Sequence, residues 1–145
     1  MTRIGQAAML LHGGDREEAR NRFGALWSEI GETGDPLQRC TLAHYLADAQ
    51  DDPGDELAWD LRALAAADAL AQERPVDREA ELALAALYPA LHLDLAADYV
   101  QLQDLSAARL HLARARGASG ALRDDGYGRG VRAAIARVAR RLDGE

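Results

Sequence analysis

Cys40, His44 and Asp48 follow one another at intervals of four, so a helix would carry all three on one face. That face has two possible chemistries. A thiol one turn from an imidazole is the start of a nucleophile–base pair, which needs the base within hydrogen-bond reach. An imidazole one turn from a carboxylate can share a proton or a metal ion. The plainer reading of the His44–Asp48 pair is a surface hydrogen bond, which is common at this spacing on helices. A small enzyme or metal protein would need His12, His44, Asp48 or His111 to converge in space. The stretch "DDGYGRG" (124–130) has glycines at alternate positions, but a phosphate-cradling loop needs a preceding strand and a fuller spacing. It reads instead as a helix start capped by Asp124 or Asp125, with Gly126 and Gly130 one turn apart and allowing close packing. No HExxH, CxxC, GxSxG or Walker pattern is present. The expectation is a protein that is not an enzyme, with no catalytic residue, no metal and no cofactor.

The elements that would position these residues are helices. Hydrophobic residues make up 48% of the 145-residue chain and aromatics only 5%, so its apolar mass is alanine and leucine, the strongest apolar helix formers. No segment alternates with period two, which argues against strands. Breakers fall at "HGGD" (12–15), "GETGDP" (31–36), "DDPGD" (51–55), "RPVD" (74–77), "LQD" (102–104), "RGASG" (116–120) and "DDGYG" (124–128). Between them lie helical patterns over about 2–12, 16–31, 36–50, 55–72, 78–102, 105–116 and 125–142. Pro89 interrupts the fifth, which reads as one continuous, kinked helix. In the last, Tyr127, Val131, Ala134, Ile135, Val138 and Leu142 form one apolar stripe.

All 17 basic residues are arginine, the habit of a GC-rich and hence bacterial genome. A single cysteine excludes an intrachain disulfide, and no targeting segment or membrane span stands out, so a cytoplasmic protein without a membrane partner is expected. Charge is unevenly spread. Residues 1–105 hold 8 Arg against 20 Asp and Glu, whereas residues 106–145 hold 9 Arg against 4. The basic end is either a solvated face or a binding face for nucleic acid or an acidic partner.

A frame emerges from the small residues. Ala96 and Ala108 are twelve apart across "LQD", with Leu95, Tyr99, Leu112 and Ala115 at larger core positions. Ala7 and Ala19 repeat the spacing, with Gly14 in the turn and Phe23 beyond. Ala43 and Ala58 are fifteen apart, with an insertion in "QDDPGD", and Pro36 and Pro89 then open the same helix of two units. On these residues the chain resembles a divergent tetratricopeptide repeat protein. The resemblance implies an all-α fold, a right-handed stack of antiparallel helical hairpins in about three units (2–32, 36–73 and 89–117). It leaves an extra segment at 76–88 and an amphipathic capping helix at 125–142, all in a single domain, 1–145. The repeat intervals are longer than the family's, and its helix-A tryptophan and closing proline are missing.

In that family the first helix of each unit lines a concave groove. Carried onto this chain, the groove positions are Leu11 and His12, then Leu37, Cys40, His44 and Asp48, then Leu93, Val100 and Gln101, with Ile4, Ala8, Ala47 and Ala97 beside them. The set is mostly apolar and lacks a basic clamp for a carboxylate. It suits an adaptor or scaffold that binds a protein or peptide, a second copy of the chain included. The groove has a competing fate, burial beneath the chain's own extra helix. The alternative function uses Arg123, Arg129, Arg132, Arg137, Arg140 and Arg141 against nucleic acid or an acidic partner, with nucleic acid the weaker choice. Trp27 and Trp59 read as core residues; exposed, they would mark an association surface.

Overall fold

In the computed structural model, which describes residues 2–73 and 77–144, the fold is all-α, and no strand occurs among the described residues. The α-helices are α1 (Arg3–His12), α2 (Arg16–Ile30), α3 (Pro36–Asp48), α4 (Pro53–Gln72), α5 (Arg78–Ala85), α6 (Tyr88–Gln101), α7 (Leu105–Ala118) and α8 (Gly126–Gly144). A short 3-10 turn spans Ser119–Ala121. Aspartate starts most of them. The carboxylates of Asp15, Asp35, Asp77, Asp104 and Asp125 accept backbone N–H groups of the first turns of α2, α3, α5, α7 and α8. Asp52 does the same for α4. Most of the predicted breaker "RPVD" lies outside the described residues.

The predicted continuous helix over 78–102 is divided into α5 and α6. Ala86 and Leu87 keep right-handed helical dihedrals, but Pro89 has no N–H to give back to Ala85, and its ring crowds that carbonyl. The ladder therefore breaks just ahead of the proline. By length and composition the stretch Arg78–Gln101 could cross a membrane. Its second half, α6, buries Pro89, Leu91, Leu95 and Ala96.

The chain divides into two compact units, residues 1–70 and 71–145. In the first, α2 packs along α1 and α3. The core is Ala7, Ala19, Phe23, Leu26, Leu42, Leu46 and Ala49, with Ile4, Leu11, Trp27, Tyr45 and Trp59 half-buried against it. Ala7, Ala19, Phe23 and Leu42 are wholly shielded. Phe23 stacks on Tyr45 at 5.2 Å between ring centres. Removing Phe23 or Leu42 from water contributes roughly 1.5–3 kcal/mol each. Arg16 and Arg20 tie α2 to the turn after α3 by donating to the carbonyls of Asp48, Ala49 and Gln50. Both also reach Asp51, whose carboxyl they hold below its ordinary value. Ala43 is buried, but Ala58, its partner in the alanine frame, is half-exposed.

In the second unit α6 and α7 pack along each other across the turn 102–104, and α8 lies against both. Ala96, Ala108, Leu112, Ala115 and Leu122 meet Val131, Ile135, Val138, Ala139 and Leu142 of α8. The stripe read from sequence is therefore mostly the buried face of α8, but Ala134 is only half-buried and the first turn differs. Tyr127 is exposed, and the buried residue of that turn is Gly128. A Cβ on Gly128 would come within 1.9 Å of the Arg123 carbonyl oxygen. Gly126 and Gly130, the glycines expected to give close packing, have open space where a Cβ would go.

Candidate functional site

The predicted groove residues fall into distinct environments within each unit. On α1, Leu11 packs against the core and His12 is exposed. On α3, Leu37 is exposed, Cys40 is buried, His44 is half-buried and Asp48 is exposed. On α6, Leu93 and Val100 pack against the cluster that includes the α8 stripe, and Gln101 is exposed. Leu93 and Val100 are thus partly covered within the second unit, against a cluster to which α7 and α8 both contribute.

Cys40 and His44 do not make an activated pair. Burial pushes the Cys40 thiol up to about 11, so it stays protonated near neutral pH. His44 Nε2 lies 3.7 Å from Asp48 Oδ2. Asp60 on α4 is buried and brings a carboxylate oxygen within 4.8 Å of a His44 ring nitrogen. No motif marks Asp60; only its place on a buried face of α4 does. One imidazole with carboxylates is a donor set for a divalent cation. The His44–Asp48 separation exceeds the roughly 3.3 Å that two ligands on one tetrahedral zinc would have, so these side chains would have to close in to hold one.

His111 has a histidine partner that the sequence did not single out. It meets His92, with Nδ1 to Nδ1 at 3.0 Å. The two imidazoles lie inside a column of near-parallel rings, Tyr88, His92, His111 and Tyr99, whose neighbouring centres are 5.3–6.1 Å apart. Burial, aided by the Arg114 charge, lowers the pKa of His111. The alanine frame held a signal for this pair. With Ala96 opposite Ala108, the next turn outward sets residue 92 beside 111.

The basic face is only partly free for binding. Arg132 donates to the carbonyls of Ser119, Leu122 and Arg123, closing the end of α7 and the 3-10 turn. Arg129 is 3.1 Å from Asp124. Arg137, Arg140 and Arg141 are exposed on α8, away from its apolar stripe, and the Arg123 side chain is exposed before it.

An open cleft lies in the first unit. Trp27 of α2 and Trp59 of α4 meet edge to face, 5.1 Å between ring centres. Both pack against the core on one side and stay partly exposed on the other. The Arg39 guanidinium stands 4.2 Å over Trp27, and that of Arg62 stands 4.2 Å over Trp59. Arg39 also donates to the Gly31 carbonyl, which fixes it at the start of the cleft. Glu32 and the small side chains Ala65, Ala66 and Ala69 complete a space of about 550 Å³. No family model, no curated protein and no solved structure matches this chain. The site is therefore read from its chemistry alone. Aromatic faces and arginine forks are suited to gripping a partner's side chains, while a nucleophile with a base beside it is not among the groups lining this cleft.

Proposed function

We propose that this protein is a non-enzymatic interaction module that binds a protein or peptide segment, built as a stack of helical hairpins of the tetratricopeptide kind. The observation that carries the reading is the placement of Trp27 and Trp59. Both pack against the core of the first unit, yet each keeps part of its indole on an open cleft with an arginine over it. Tryptophan and arginine are enriched among the strong anchor points at protein interfaces. The hairpin reading draws support from the turns 12–15 and 102–104, which share one hydrogen-bond pattern. Affinity purification of the tagged chain from a bacterial host, with mass spectrometry, tests the module. A partner retained by the wild type and lost with Trp59→Ala is the expected result. Retention unchanged by Trp59→Ala rules this surface out. Light scattering separately tests a second copy of the chain as the partner.

A second reading rests on the exposed Arg137, Arg140 and Arg141 of α8. These charges would bind nucleic acid or an acidic partner with an affinity that falls steeply with salt. Salt-independent binding by the full chain argues against it.

A further inference from the structure

We infer that the cleft between Trp27 and Trp59 takes an acidic peptide segment, its carboxylates on Arg39 and Arg62 and an apolar side chain against the indoles. This rests on the binding-module reading and adds the chemistry of the partner. None of the four residues belongs to the groove positions that the repeat resemblance implies.

An arginine over an indole uses its flat face for the contact. Its N–H groups lie in the guanidinium plane, so the fork that pairs with a carboxylate remains available. Arg39 gives one amino group to the Gly31 carbonyl and keeps donors to spare. Both side chains are held by their ring contacts, which lowers the entropy lost when a ligand arrives. Between them the indole edges and the alanines of α4 offer an apolar floor.

Charge narrows the occupant further. Residues 1–70 carry 6 Arg against 13 Asp and Glu, a balance of −7. A nucleic acid strand, with a phosphate on every nucleotide, would be repelled by that surface. A short peptide with a few carboxylates feels the same repulsion on far fewer charges, and those charges can be set directly on the two arginines. Glu32 lines the same cleft and opposes such a ligand. It acts as a built-in competitor that weakens binding.

The test is selection of a random short-peptide library against the full chain, followed by titration of the enriched peptides. Enriched sequences should pair Asp or Glu with an apolar residue. Arg62→Glu, at an exposed position, should weaken them by at least about tenfold, and Glu32→Gln should strengthen them by about threefold. Arg62→Gln, expected to weaken binding less, replaces the charge reversal should that variant misfold by circular dichroism. Enriched peptides without acidic residues, or with affinity indifferent to Arg62, overturn the inference while leaving the module standing. Binding of an oligothymidylate probe that is lost with Arg62→Glu also overturns it. Enrichment of no peptide removes the module and the inference together.

Discussion

Gly14 and Gln103 hold the same place in two turns built from the same hydrogen bonds. Gly14 N–H reaches the Leu11 carbonyl at 3.1 Å, and Gln103 N–H reaches that of Val100 at 3.1 Å. The next residue, Asp15 or Asp104, donates 2.9 Å to the carbonyl of Leu10 or Tyr99, and its carboxylate then caps the following helix. Both residues have positive φ, 93° for Gly14 and 64° for Gln103. A left-handed conformation suits glycine and costs an ordinary side chain roughly 1 kcal/mol. Gln103→Gly should therefore stabilise the protein by up to about 1 kcal/mol, and Gly14→Gln should destabilise it by a similar amount. Urea unfolding read by circular dichroism measures both, and equal signs would contradict the shared turn geometry.

The legible parts of the fold are those set by local rules. Asp125, one of the two caps expected in "DDGYG", accepts a first-turn N–H of α8, and Asp15, Asp77 and Asp104, the last residues of the breakers "HGGD", "RPVD" and "LQD", do the same for the helices after them, because a short acceptor ahead of a helix satisfies its free N–H groups. The α8 stripe is legible because period alone names its buried face. What escaped depends on pairing between distant residues. Tyr127 reads as core by its period, but the chain before α8 crosses so close that only Gly128 fits there. Trp27 and Trp59 read as core by residue type and do pack against it; what type alone does not give is their edge contact beside an open cleft, which follows from how α2 and α4 approach. Arg132 reads as part of a basic face, yet its role is set by where the carbonyls of Ser119 and Leu122 end.

Two glycines of α8 should respond in opposite directions to one added methyl group. Gly128→Ala drives a Cβ into the Arg123 carbonyl, a backbone atom that cannot swing aside, and should cost about 1–3 kcal/mol. Gly130→Ala meets nothing within 4 Å and removes a flexible residue from a helix. It should stabilise by about 0.5–1 kcal/mol. Denaturant midpoints of the two variants check the pair, and a neutral Gly128→Ala would mean that α8 starts differently.

Cys40 should be inert in the folded protein. Its thiol, pushed up to about 11 by burial, offers almost no thiolate at pH 8. Reaction with a disulfide reagent should be slower than for the same chain in urea by at least about tenfold, since burial limits access as well as ionisation. Equal rates in the two conditions would show an open, activated thiol beside His44 and revive a nucleophilic role.

The His92–His111 pair makes the second unit sensitive to acid. With Nδ1 atoms 3.0 Å apart, one ring donates and the other accepts, so at least one imidazole must be neutral. The pKa of His111 is lowered in the fold, chiefly by burial and then by Arg114. Below the ordinary histidine value of about 6.5 the unfolded chain takes up a proton that the fold refuses. Stability from this residue is therefore present above that pH and is lost as pH falls through the folded value. His111→Phe keeps a flat ring between His92 and Tyr99 but cannot titrate. The wild type should lose melting temperature between pH 7.5 and 5.5 more steeply than His111→Phe, whatever their difference at pH 7.5. Parallel profiles would mean that the pair carries no proton linkage, and that the close Nδ1 approach persists with both rings charged.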